Sequence, residues 1–206
     1  MGKIREGMIS DRVSERILWL TLVFFLVFFG TTILSFYLLP EGFLRRKNAI
    51  GDFQTSENLF LCAAQIFLYN MLSVAFLFFG SAFARKKEDQ KTYRSYGQVG
   101  FFVFVLLNAV TLGTWSFTAN PNSVPLGERL LRTFDIAHNA GLLEMYAQLL
   151  ITSALATKYL VLTEGRKTTT RKLREIPFRK SEGVALLCGF LLMLAGALVE
   201  SRAILG

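Results

Sequence analysis

The sequence contains few residues that could bind a metal or a cofactor. Its 206 residues include one histidine and two cysteines, so a haem held by two histidines is excluded. Cys62 and Cys188 are predicted near opposite membrane faces, where they can neither form a disulfide nor share a metal. Motifs of phosphate-binding loops, zinc proteases and serine hydrolases are absent from the sequence. We therefore expect no catalytic residue, no metal and no cofactor.

Charged residues are also scarce, at 18% of the chain, whereas 52% of the residues are hydrophobic. A helix needs roughly 20 apolar residues to cross the hydrocarbon core of a bilayer. Four stretches carry no charged side chain, and a fifth apolar stretch is interrupted by Glu144 and Lys158. The sequence therefore predicts an all-α, polytopic transmembrane helix bundle that forms a single domain over 1–206. Its predicted spans cover about 15–39, 57–84, 96–118, 141–163 and 182–203.

The segment between the third and fourth spans has a different pattern. Asn120-Pro121-Asn122 is typical of a turn, and an amphipathic, interfacial or re-entrant helix is predicted over 124–137. The predicted apolar face holds Leu126, Leu130, Leu131 and Phe134. The charges of Arg129, Arg132 and Asp135 are expected to keep this helix out of the hydrocarbon centre.

Basic residues are distributed unevenly between the predicted loops. With five spans, the N-terminal segment and the loops 85–94 and 164–180 share one side and hold sixteen basic residues, against six on the other side. The positive-inside rule then predicts a multi-pass protein of the cell membrane with its N-terminus in the cytoplasm and its C-terminus outside. The net charge of +8 follows from these loops, so no nucleic-acid partner is expected.

The basic loop 164–180 is the predicted cytoplasmic contact surface for lipid headgroups or for a partner protein. A solvated loop without a partner is the alternative interpretation of the same residues. The candidate contact residues are Arg166, Lys167, Arg171, Lys172, Arg174, Arg179 and Lys180.

Polar side chains within the spans are the candidate functional site. An ionisable residue inside a membrane costs about 2.5–3.5 kcal/mol on insertion scales, so it is a functional candidate by default. Helix rise places Glu144, Glu200 and His138 in the outer half of the bilayer, with Asn108 below them and Asn70 near the middle. Gln148 lies one turn beyond Glu144 and Thr152 one turn further. We predict that this stripe faces protein or water, not lipid.

The sequence leaves the role of Glu144 open. The carboxyl group could fix the packing of its helix through hydrogen bonds, hold a proton or a cation together with Glu200, or contact a partner membrane protein. His138 is interpreted as a polar residue at the membrane interface more readily than as a metal ligand. A zinc site formed by His138, Glu144 and Glu200 would lack the ligand types that zinc usually has. Asn70 and Asn108 favour hydrogen bonds between helices.

Four segments resemble the stage II sporulation protein M family of integral membrane proteins. They are QIFLYNMLSVAFLFFG (65–80), LLNAVTLG (106–113), AGLLEMYAQLLITSALA (140–156) and LLMLAGALVES (191–201). The resemblance covers about residues 55–202. It assigns family positions to Asn70, Asn108, Gly113, Gly141, Glu144 and Glu200.

The chain departs from the family pattern around the fourth span. The family pattern has Pro-His-Gly before the glutamate, but here Asn139-Ala140 separates His138 from Gly141, Ile136-Ala137 replaces the proline, and Ala109 stands where a glycine is expected after Asn108. The resemblance implies a membrane protein that assembles with partners, as the sporulation member does during envelope remodelling.

Three functions are consistent with these features. The first is a scaffold or accessory subunit whose partners are membrane lipids and another membrane protein or a second copy of the chain. The second is a small oligomeric transporter or channel that uses Glu144 and Glu200 for a cation or a proton. The third and weakest is an intramembrane enzyme, which would need a wet pocket that joins at least two of His138, Glu144 and Glu200.

Overall fold

The computed structural model describes residues 2–45, 56–86, 92–117 and 124–206. Within them, four helices are long and apolar enough to cross a membrane, which indicates a membrane-embedded protein. These helices are α2 (Val13–Leu38), α3 (Leu59–Ser81), α4 (Tyr96–Gly113) and α7 (Lys180–Leu205). Three shorter helices are α1 (Gly2–Gly7), α5 (Leu126–Thr133) and α6 (Gly141–Leu155). The predicted all-α helix bundle is confirmed.

Helix α6 is shorter than the predicted span 141–163. It ends at Leu155 after 15 residues, which gives a length of about 22 Å. The chain then turns, and Val161–Glu164 forms a strand, because the aromatic Tyr159 and the β-branched Val161 and Thr163 favour an extended backbone. Most of α6 is buried by neighbouring helices, so protein rather than lipid surrounds it.

A small sheet, which the sequence analysis did not predict, covers one end of the bundle. It contains β1 (Phe83–Lys86), β2 (Arg94–Ser95), β3 (Val161–Glu164) and β4 (Lys167–Thr170) in the order β2-β1-β3-β4. The predicted spans 57–84 and 141–163 therefore each include residues of a strand. We call this end of the bundle the sheet end, and the opposite end, which holds α5, the corner end.

The sheet joins two helix–strand–strand–helix units with the same order of elements. The first unit is α3-β1-β2-α4 and the second is α6-β3-β4-α7. Within each unit the two strands are antiparallel, and the units meet where β1 and β3 pair in parallel. Lys86 of β1 also contacts Glu164 of β3 at 2.8 Å, and the hydrogen bond from Lys86 lowers the pKa of the Glu164 carboxyl.

Helix α2 packs across the first unit through aromatic side chains. Phe24 and Phe28 are buried against Phe101 of α4 in one core cluster. Near the corner end, Gly113 lies so close to α2 that an added Cβ would come within 2.5 Å of the Thr32 carbonyl oxygen. Glycine at this position therefore permits the contact between the two backbones.

The predicted helix 124–137 is present as α5 over a shorter range. Leu131 is 74% exposed at the corner end, and Phe134 stacks on Phe29 of α2 with ring centroids 5.7 Å apart. Arg129, whose charge was expected to keep this helix out of the hydrocarbon centre, is fully buried. It donates hydrogen bonds to Gly113 at the end of α4 and to Glu41 in the segment after α2. The predicted turn at 120–122 lies outside the described residues.

Candidate functional site

Three of the predicted polar residues meet between α3, α6 and α7. The Asn70 side-chain amide donates a hydrogen bond to Glu144, and the carboxyl groups of Glu144 and Glu200 lie close enough to interact. We call Asn70, Glu144 and Glu200 the carboxyl cluster. It joins residues that are 130 positions apart in the chain at their extremes, so it fixes all three helices to one another.

Local backbone features position the two carboxyl groups. Glu144 lies in the first turn of α6, where the positive end of the helix dipole favours a negative or polar group. Gly196 lies one turn before Glu200 on α7, and a Cβ added there would be 3.0 Å from Glu144 Cγ. The glycine thus leaves the space that the Glu144 side chain occupies.

A hydrogen bond between two carboxyl groups requires a proton on one of them, because an ionised carboxylate only accepts. The pair can therefore hold a proton, or exchange it for a cation that both carboxylates bind. Within the described ranges, no group of three histidine, cysteine, aspartate or glutamate side chains is arranged to hold a metal ion. The cluster has two such ligands and one amide.

The polar stripe on α6 continues from Glu144 into the protein interior. Gln148 is 8% exposed and Thr152 is fully buried, so the stripe faces protein, as predicted. The side-chain oxygens Gln148 Oε1 and Thr152 Oγ1 are buried and accept no hydrogen bond from the described residues. Buried polar atoms of this kind are uncommon and often mark a water or a functional site.

His138 and Asn108 lie apart from the contacts of the carboxyl cluster. The His138 side chain is 80% exposed, and its Nδ1 lies 3.0 Å from the Asp135 carboxylate. Asn108 is exposed on α4, where its amide donates to the Phe104 carbonyl oxygen at 2.9 Å. Of the six predicted polar residues, the structure therefore joins three in direct contact, with Gln148 one turn away on α6.

A second charged cluster, missed by the sequence analysis, lies at the sheet end. Arg16 and Glu182 are 0% and 1% exposed, and Arg16 Nη2 is 2.6 Å from Glu182 Oε1. Lys158 Nζ is 2.7 Å from Glu182 Oε2, and Arg16 also donates to Thr157 at 2.9 Å. We call Arg16, Lys158 and Glu182 the charge lock, because it ties the first turns of α2 and α7 to the segment after α6.

The two clusters contain residues near opposite ends of the apolar part of α7. Glu182 and Glu200 are 18 residues apart on this helix, which corresponds to about 27 Å. The hydrocarbon core of a bilayer is about 30 Å thick. Glu182 and Glu200 are therefore separated by nearly the thickness of this layer, whereas Asn70 of the carboxyl cluster lies at the middle of α3, 11 residues from either end.

The predicted basic contact surface is a hairpin followed by a short turn, not an irregular loop. Lys167 lies in β4, Arg166 in the turn before it, and Arg174 in a 3-10 turn over Leu173–Glu175. Arg179 donates to the Asp11 backbone oxygen, so this residue holds the N-terminal segment against the start of α7. All seven predicted basic residues, Arg166, Lys167, Arg171, Lys172, Arg174, Arg179 and Lys180, are exposed.

Comparison with known proteins finds no matching family model, no matching curated protein and no matching solved structure.

Proposed function

We propose that the protein is an integral membrane scaffold or accessory subunit that assembles with another membrane or envelope protein. The observation that supports this proposal most is the outer edge of strand β4 at the sheet end. A strand edge offers backbone hydrogen bonds to an added strand, which is a common mode of peptide recognition. We further propose five spans with the N-terminus and the sheet in the cytoplasm, as the distribution of basic residues predicts.

The register of the sheet identifies the groups on this edge. The Arg171 N–H donates to the Leu160 carbonyl oxygen at 2.8 Å, and in an antiparallel pair hydrogen-bonded and non-bonded residue pairs alternate. Thr168, opposite Thr163, and Thr170, opposite Val161, are therefore non-bonded positions. Their N–H and C=O groups point away from β3, toward the outer edge, where no described strand pairs with β4.

The side chains around this edge determine the type of partner that fits. All four residues of β4 are exposed, and the strand is flanked by Arg166, Arg171 and Lys172. A basic edge repels a basic segment and favours an acidic one. The proposed occupant is therefore an extended, acidic segment of a partner protein.

The resemblance to the stage II sporulation protein M family supports the same proposal. Asn70, Glu144 and Glu200 are three of the positions that the resemblance assigns, and they lie in contact although they are distant in sequence. Gly113, a fourth position, lies at the close approach of α4 to α2. We propose membership of this family and, with it, a role in envelope remodelling.

Thr168→Pro is expected to abolish partner binding while the fold is retained. The Thr168 N–H points to the outer edge, so proline removes a donor for an added strand but no bond to β3, and edge strands tolerate proline in this position. Thr168→Val keeps the N–H and is the matched control. The measurement is quantitative recovery of co-purifying proteins from cross-linked native membranes.

The comparison of these two variants decides the proposal. A stoichiometric partner that is retained by Thr168→Val and lost by Thr168→Pro supports docking at β4. Equal recovery with both variants, or purification of the chain alone from cross-linked membranes, contradicts it.

The carboxyl cluster favours a second candidate function, a small oligomeric transporter of a proton or a cation. Glu144 and Glu200 can share a proton, and the stripe of Gln148 and Thr152 leads from them toward the sheet end. Its buried oxygens accept no hydrogen bond from any residue in the described part of the chain. Carboxylates with this environment are common in proton relays.

Glu144→Gln tests this second function. A glutamine keeps the shape and can hydrogen-bond to Asn70, but it cannot release a proton, so flux in proteoliposomes should fall at least tenfold if the cluster carries the ion. Glu164→Gln, at the partly exposed pair with Lys86, is the matched control. Flux that is equal in the wild type, Glu144→Gln and protein-free liposomes rules out transport and leaves the cluster a structural role.

A further inference from the structure

A cavity of about 370 Å³ lies between α1 and the first half of α4 at the sheet end. Its walls include Met8 and Ile9 after α1, and Val99, Phe102 and Val103 on α4. Two arginines, Arg5 and Arg94, line the cavity together with these apolar residues. The carboxyl cluster, the charge lock and the β4 edge contribute no residue to it.

Hydrogen bonds from side chain to backbone fix the wall that α1 forms. Gln98 Nε2 donates to the Met8 carbonyl oxygen at 2.9 Å, and Arg5 Nη2 donates to the Thr92 carbonyl oxygen at 2.8 Å. Gly7 lies directly against the Trp19 ring, where an added Cβ would be 2.0 Å from a ring carbon. The short helix α1 is thus held against α2 and α4, and the cavity is part of the folded structure.

The cavity changes from basic to apolar along α4. Arg94 precedes this helix, whereas Val99, Val103 and Leu106 follow along successive turns. Arg94 and Leu106 are 12 residues apart, and the helical part from Val99 to Leu106 spans about 10 Å. Val99, Val103 and Leu106 are each more than 40% exposed, so the apolar part opens to the side of the bundle.

We propose that this cavity binds one anionic phospholipid. The exposed Arg94 guanidinium fits its phosphate, because arginine binds phosphate with parallel hydrogen bonds. The Arg5 guanidinium, which donates to the Thr92 carbonyl oxygen, adds a second positive charge to the cavity. The exposed apolar turns of α4 fit the first part of an acyl chain, and the opening toward the bilayer lets the chain continue into the hydrocarbon. Basic pockets at the cytoplasmic ends of helices are suited to anionic headgroups.

The arginines and the apolar wall of the cavity together favour an anionic phospholipid over soluble phosphate and over a zwitterionic lipid. A soluble phosphate would use the arginines but not Val99, Phe102 and Val103. A zwitterionic lipid carries its own cation, which would lie beside two arginines and weaken its binding. An anionic phospholipid is complementary to both the charge and the apolar wall.

The proposal is tested by native mass spectrometry of the full chain released from nanodiscs that contain equal amounts of phosphatidylglycerol and phosphatidylcholine. We expect one retained phosphatidylglycerol per chain. Arg94→Gln, which leaves the Arg5 bond to Thr92 in place, should reduce this retention at least tenfold. Arg12→Gln, at an exposed arginine that pairs with Glu15 at the start of α2 and does not line the cavity, is the matched control and should retain the lipid.

Val103→Trp tests the apolar part separately, because it fills the cavity and leaves both arginines in place. It should also lose the lipid, and circular dichroism with a thermal midpoint verifies that each variant is folded. Retention that is unchanged in Arg94→Gln, or equal for both lipids, overturns the proposal. Displacement of phosphatidylglycerol by millimolar inorganic phosphate, or its retention by Val103→Trp, shows an anion site without a lipid chain and also overturns it.

Discussion

Glu182→Gln is expected to lower the free energy of unfolding by about 3–5 kcal/mol, the usual loss when one partner of a buried ion pair is removed. Glu182 is the only described carboxylate that contacts Arg16 and Lys158 together. The variant would leave the fully buried Arg16 guanidinium without a counter-charge. The first turns of α2 and α7 would then lose the contact that holds them together.

Unfolding in mixed micelles of increasing SDS content measures this loss. Glu164→Gln is the matched control, since its pair with Lys86 is partly exposed and should contribute less than about 1 kcal/mol. The double variant Arg16→Leu/Glu182→Leu should recover part of the stability, because apolar residues that replace both members of a buried pair are often tolerated. Lys158 keeps its hydrogen bond to the Pro177 carbonyl oxygen in this variant. A Glu182→Gln variant as stable as Glu164→Gln would contradict the structural role of the charge lock.

Arg129→Met is expected to have the second large effect, at the corner end. Arg129 is fully buried and donates to the Gly113 carbonyl oxygen at 2.5 Å and to the Val124 carbonyl oxygen at 2.7 Å. Its guanidinium also lies 4.7 Å from the ring centroid of Phe36. Each carbonyl left without its donor costs about 1–3 kcal/mol when buried, so a loss of several kcal/mol is expected.

Thermal unfolding in detergent checks this second expectation, with Arg132→Met as the matched control on the same helix. Arg132 is exposed and pairs with Glu128 one turn away, and such pairs contribute about 0.3–0.5 kcal/mol. Arg129→Lys should resemble Arg129→Met more than the wild type, because a lysine cannot reproduce the planar fork of donors. Equal midpoints for Arg129→Met and Arg132→Met would contradict the assigned role of Arg129.

The long apolar runs predicted the helix bundle, but they did not predict where each helix ends. An uncharged run indicates a membrane helix, but it does not say where the helix stops, and the run over 141–163 contains both α6 and most of β3. The aromatic and β-branched residues of 159–163 are the signal that could have revealed the strand. Because strand pairing depends on partners that are distant in the sequence, the four-stranded sheet could not be predicted from local sequence patterns.

Helix depth was easier to predict than helix rotation. Depth follows from counting residues, and it placed Glu144 and Glu200 at a similar level, where the structure joins them. The rotation of a helix about its axis can be predicted only when one face is more apolar than the others. Helix α4 is apolar on all of its faces. Its buried residues include Val105 and Ala109, and Asn108 lies outside that face.

The charge lock was not predicted, because the position of Arg16 just before a span already had another explanation. A basic residue just before a span is expected to face the cytoplasm, and Lys158 was interpreted as an interruption at the end of a span. The Arg16 and Lys158 side chains instead contact Glu182, which lies more than 20 residues from each of them in the sequence. Only the folded arrangement of α2, α6 and α7 brings the three charges together.

The most direct test of the proposed scaffold function is a photo-reactive amino acid placed at Thr168 in the native membrane. The account predicts one discrete adduct with a different membrane or envelope protein, which joins Thr168 to an extended acidic segment of that protein. The same probe at Phe60, an exposed position on α3 far from the sheet, should not give this adduct. No adduct at Thr168, or adducts only with a second copy of the chain, would contradict docking of a partner at β4.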